Sequence, residues 1–173
     1  MSVKIDMKLT SPELMQAALC GSMRRITAMK DGMDTDCNCR NPKTSWATDI
    51  DGAASEMAVS KYLRRYWSGH VRNFTGDDVL GGIQVRSTVY EQGKLILRPD
   101  DPDDAFFILV VANAPIYSIR GGIFARDGKI DAYFRPCDPV EGSPAWWVPQ
   151  DALVDLSALN ASKVREMPRR GAA

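Results

Sequence analysis

Histidine is nearly absent from this chain: His70 is the only one in 173 residues. The four cysteines, Cys20, Cys37, Cys39 and Cys137, do not make up the shortfall. Cys37-Asn38-Cys39 supplies half of a structural zinc site, but such sites pair two close ligand couples and Cys137 stands alone. The sequence therefore predicts no zinc, and loop thiols at Cys37 and Cys39. Long apolar runs are also missing. The longest, "AFFILVVANA", is too short to span a bilayer and suits a buried strand. "MSVKIDMKLTSPELM" has no apolar signal core, so the expectation is a cytoplasmic protein with reduced thiols and no membrane partner. Nor is there an excess charge of one sign. Lys+Arg and Asp+Glu total 22 each, which excludes a global basic field for nucleic acid. A local patch stays open, because Arg24-Arg25 and Arg64-Arg65 come in pairs, either on solvated helix faces or against phosphates. No glycine-rich phosphate loop, Ser-His-Asp set or nucleotide fingerprint occurs.

What is present fits one globular domain of 173 residues, with 45% hydrophobic residues to form a core. Residues 1–49 read as an N-terminal helix and a polar loop, 50–157 as the core, and 158–173 as a frayed tail. Ser11-Pro12-Glu13 is a helix start, with Ser11 as the capping hydroxyl and proline at the first helical position. Leu14, Met15, Ala18, Leu19, Met23 and Ile26 then recur at helical spacing to about Met29. "KDGMDTDCNCRNPKTSW" reads as a polar loop. A second helix is predicted over Ala53–Trp67, with a start as early as Asp51. Val59, Tyr62, Leu63, Tyr66 and Trp67 form its apolar face. Glu56 projects into that face. It is either a carboxylate that needs a partner, a metal or a raised pKa, or an acid near the positive end of the helix.

From Val79 onward the chain reads as strands. "IQVRSTV" alternates, with Ile83, Val85 and Ser87 on one side and Gln84, Arg86 and Thr88 on the other. "KLILR", "AFFILVVAN", "IYSIRGGIFA" and "KIDAYFR" follow, with "PDDPDD" as a proline turn. "PAWWVPQDALVDLSAL" begins extended and ends in a short turn. The fold class is therefore α+β, a central mixed sheet flanked by helices. Trp146-Trp147 offers either base stacking or one core ring and one edge ring.

Phosphodiester cleavage with Mg²⁺ needs oxygen ligands beside the scissile phosphate and a cation to steady charge. Glu56, then Asp77-Asp78, then Gln84-Val85-Arg86 follow that layout. Together with "GAASEMAVSKYL", "DVLGGIQVRST" and "LILRPDDPDDAFFILVVA", the chain resembles the PD-(D/E)XK nuclease superfamily in a compact, phage-type version. "IRGGIFA" and "WWVPQDAL" resemble the closing strand and C-terminal segment of phage and bacterial members.

The resemblance covers roughly residues 50 to 157. It implies a restriction-endonuclease-like fold and Mg²⁺- or Mn²⁺-dependent cleavage of DNA inside a bacterial host. Glu56 then matches the helix glutamate and Asp78 the metal-binding aspartate. Gln84 stands where the second acid belongs and Arg86 where the lysine belongs. A glutamine carbonyl ligates Mg²⁺ without charge, so affinity falls. Arginine holds phosphate bidentately but donates a proton less readily than lysine.

The hairpin leaves two choices. A two-residue turn at Gly81-Gly82 aims Asp77 with Arg86, and a wider loop returns Asp78 to the site. Arg24, Arg25, Arg64 and Arg65 are the expected phosphate contacts. Two functions follow: a metal-dependent DNA nuclease or nuclease-derived DNA-binding protein, or a catalytically silent nuclease fold kept for protein–protein contact.

Overall fold

The strand Phe106–Asn113 is buried along all but its last residue, which requires a layer of structure on each of its two faces. The computed structural model describes residues 4–32, 42–71, 78–79, 82–136 and 144–156. Its elements are β1 (Ile5–Lys8), α1 (Ser11–Lys30), α2 (Pro42–Tyr62), β2 (Ile83–Thr88), β3 (Leu95–Leu97), β4 (Phe106–Asn113), β5 (Ile116–Phe124), α3 (Ala125–Gly128), β6 (Phe134–Arg135) and β7 (Ala145–Val148). The central sheet has the order β1-β5-β4-β2, with β2 parallel to β4 and the other pairs antiparallel.

Successive residues of β4 feed two cores. Phe106, Ile108, Val110 and Ala112 pack with Ala53, Met57, Ala58 and Val59 of α2. Phe107 and Leu109 pack with Leu95, Leu97 and Val148 of a second, antiparallel sheet ordered β3-β7-β6. The α+β class and the mixed central sheet are as expected. The two long helices, α1 and α2, cover one face; the second sheet, with the short α3 packed beside it, covers the other. Among the described residues no helix is long and apolar enough to cross a membrane.

The first helix starts one residue earlier in its cap than predicted. Thr10, not Ser11, is the N-cap, and its reciprocal bonds with Glu13 form a capping box. The second helix differs more. It begins at Pro42, well before the expected Ala53, and ends at Tyr62, before the expected Trp67. Arg64 turns left-handed at φ 52, which ends the helix, so Leu63, Tyr66 and Trp67 lie beyond it.

Every residue from Ala53 to Ser60 is buried, so this stretch has no solvent face for a helical period to mark. Small residues allow this. A Cβ on Gly21 of α1 would lie 2.6 Å from the Cα of Ile50, so the two helices cross at backbone contact. β1 was not foreseen; it adds to β5 as a fourth strand. "KIDAYFR" is mostly a 3₁₀ turn, Asp131–Tyr133, leaving only the two-residue β6. Cys37, Cys39 and Cys137 lie outside the described residues, as does the tail from 157.

Candidate functional site

Glu56 lies in the second half of α2 with only 6% of its surface exposed. A carboxylate that deep needs several donors, and it has three. Arg24 of α1 donates from Nη1 to Oε1 at 2.5 Å and from Nη2 to Oε2 at 2.8 Å, a fork-on-fork pair. Trp67, on the segment after α2, donates from Nε1 to Oε2 at 3.1 Å. The same segment fixes the arginine: the carbonyl of His70 accepts from Arg24 Nε at 2.8 Å, and that of Gly69 accepts from the Cys20 thiol at 3.3 Å. Burial works against the charged form of Arg24. The paired bonds and charge of Glu56 outweigh it, so the guanidinium's pKa is raised.

Asp78 is placed by the hairpin. The Val79 N–H donates to the Ile83 carbonyl at 3.2 Å, and the two residues bridge antiparallel. Three residues lie between them, with Gly82 at φ 77, so the loop is wider than a two-residue turn. Of the two choices in the sequence, the wider one occurs, and Asp78 turns back toward β2. Its Oδ2 accepts from the Val85 N–H at 2.8 Å. β2 is an edge strand, so Asp78 satisfies a donor that the sheet leaves open. Burial raises its pKa to about 7, and the charge of Glu56 pushes the same way. The Val85 amide, Arg86 and Arg24 pull against both. Asp77 lies outside the described residues.

The structure divides the four expected site residues rather than gathering them. Ile83 and Val85 face the helix-side core, so by strand alternation Gln84 and Arg86 face the other way, as their register partners Phe107 and Leu109 do. Arg86 donates from Nη2 to Asp101 Oδ1 at 2.7 Å and lies 5.0 Å over the Phe107 ring. Glu56 is on the helix side. Asp78, at the edge between them, feels Glu56 and Arg24 on one hand and Arg86 on the other. The expected convergence of Glu56, Asp78, Gln84 and Arg86 is thus corrected: Gln84 belongs to the face away from α2.

The fit to Mg²⁺ follows from the donors. Both Glu56 oxygens are held by Arg24. Among the described residues no three His, Cys, Asp or Glu side chains are grouped to hold an ion. As arranged, an ion beside Glu56 would have to displace Arg24 from its oxygens.

The expected phosphate contacts also change. Arg25 is buried, and its Nε donates to Asp49 Oδ2 at 2.8 Å across the helix pair. Arg24 is committed to Glu56. Arg64 is exposed just past the end of α2, and Arg65 is half-buried. Two acids of "PDDPDD" meet a cation too, Asp101 at Arg86 and Asp103 at Lys129. Lys129 donates to Asp103 Oδ1 at 2.9 Å and to the Pro99 and Asp101 carbonyls. Sequence reasoning missed the pairing of Glu56 with Arg24 and the role of Trp67. The inward aim of Glu56 was a signal for some partner, but its partners sit 32 residues before it and 11 after it.

Comparison of the chain with protein-family models, curated proteins and solved structures finds no match.

Proposed function

We propose that this chain is a nuclease-derived DNA-binding protein that binds without cutting, with an arginine of its own in the place of the metal. The observation that carries the reading is the two-pronged bond of Arg24 to Glu56, which uses both oxygens an ion would need. Gln84 adds to it, since it brings no charge and lies on the far side of the sheet from α2. The function is then binding, with the helix pair and the edge acid as structural remnants of a cleavage site.

A second reading, a Mg²⁺- or Mn²⁺-dependent nuclease, is favoured by Asp78. Its carboxyl is crowded by Glu56, and a divalent ion between two crowded acids relieves that repulsion. In that reading Arg24 must release Glu56 first. The test is purified protein on single-stranded, double-stranded and branched DNA, with Mg²⁺, with Mn²⁺ and with chelator. The proposal expects intact DNA in every lane, also for Gln84→Glu. Metal-dependent cleavage that disappears in Glu56→Ala and in Asp78→Ala would replace it with the second reading.

A further inference from the structure

The outer face of the second sheet gathers three exposed cations around one indole. On β3 and its flanks, Leu95 and Leu97 face the core, so Lys94, Ile96 and Arg98 face outward. On β7, Trp146 packs on the core and against Phe134, so Trp147, paired in register with Ile96, also faces outward. Arg135 of β6 completes the patch, with its guanidinium 5.5 Å from the Trp147 ring centre. Elsewhere Arg24, Arg25, Lys61, Arg86, Arg120 and Lys129 each hold a carboxylate. Lys94, Arg98 and Arg135 are exposed and hold none among the described residues.

We infer that this face binds single-stranded nucleic acid, with Trp147 as a stacking platform and Lys94, Arg98 and Arg135 on the backbone phosphates. The inference rests on the reading of the chain as a nucleic-acid binder and names the surface and the form bound. Three features choose a single strand. A sheet face with one half-exposed indole offers a π-surface to an unstacked base, which a duplex does not present. The Arg135 guanidinium beside that indole is itself a plane on which a base stacks. Lys94 and Arg98 are four residues apart on an extended chain, about 13 Å, so they reach separate phosphates along one strand. An acidic peptide would meet the cations but has no use for the indole.

The test is fluorescence anisotropy of a labelled oligothymidylate in EDTA, with a duplex of equal length and polyglutamate as competitors. Trp147→Ala is expected to weaken strand binding at least tenfold and Trp147→Phe to retain most of it. The exposed-site variants Lys94→Gln and Arg98→Gln, which do not touch the core, should each flatten the slope of log K on log salt by about 0.7. Strand binding that is unchanged in all four variants overturns the surface while leaving nucleic-acid binding in place. Duplex or polyglutamate competing as well as the free strand overturns the choice of partner. An absence of strand binding overturns this inference, and a labelled duplex that also fails to bind overturns the binder reading with it. Cleavage of the strand when Mg²⁺ replaces EDTA overturns only the non-cutting reading.

Discussion

Glu56 and Asp103 each meet a cation from their own chain, but at opposite depths. The Glu56 side chain is 7% exposed and its partner Arg24 24% exposed, while the Asp103 side chain is 71% exposed and its partner Lys129 13% exposed, so the two carboxylates are what differ in depth. The chemistry is the same and the energetics are not. At the surface, water replaces a lost partner at little cost. In the interior, the group left behind has lost its hydration and has nothing in exchange. The helix-side pair is therefore a requirement of the fold, and the turn pair an adjustment to it.

The sharpest way to break this comparison is Arg24→Met. It strands the Glu56 carboxylate with only Trp67 as donor and should cost about 3–5 kcal/mol, read from urea unfolding. Arg24→Met with Glu56→Leu replaces the pair with apolar groups and should recover most of that loss. A double variant as unstable as the single one would place the defect in packing rather than in the stranded charge.

Asp78 gives a pH test of the same interior electrostatics. Its folded pKa, about 7, lies above its ordinary value of 3.8. Between those values the folded state holds a proton that the unfolded state has lost. Its contribution is thus fully present below about pH 4 and falls as pH rises to about 7. Asp78→Asn should remove that slope, a difference on the order of 2–4 kcal/mol across the window. Parallel pH profiles for wild type and variant would contradict the assignment. At the turn, Lys129→Met should cost about 1 kcal/mol, because Asp103 rehydrates while the bonds to the Pro99 and Asp101 carbonyls and the contact over the Trp146 ring are lost. Smaller still, Lys61→Met breaks the ion pair with Glu13 and should cost about 0.5 kcal/mol or less, since the capping box with Thr10 remains. A Lys129 or Lys61 effect as large as that of Arg24 would erase the distinction by depth.

The strands were legible because period-two alternation at Ile83, Val85 and the long run at 106–113 records burial directly. The second helix was not. From Ala53 to Ser60 every residue is buried, so no polar stripe marks its period or its start. The second sheet escaped notice for a related reason. β3 and β6 are three and two residues long, too short to show a pattern of their own, and they depend on β7 to become a layer. At the site, the sequence placed Glu56 inward and Asp78 at the hairpin, and it gave Gln84 and Arg86 a shared face. It did not say which face of the sheet α2 covers. That depends on Ile83 and Val85 packing against Met57 and Val59, a tertiary choice that separates Glu56 from Gln84. Arg24 and Arg25 read as a solvated basic pair, yet each turns to a carboxylate of α2.

The central claim is that Arg24 fills the position an ion would take beside Glu56. Calorimetric titration of Mn²⁺ into the wild type at pH 7.5 tests it most directly, with Glu56→Gln and Asp78→Asn alongside. The account predicts no saturable uptake at millimolar Mn²⁺ in any of the three. Saturable binding by the wild type that is lost in either variant would contradict it.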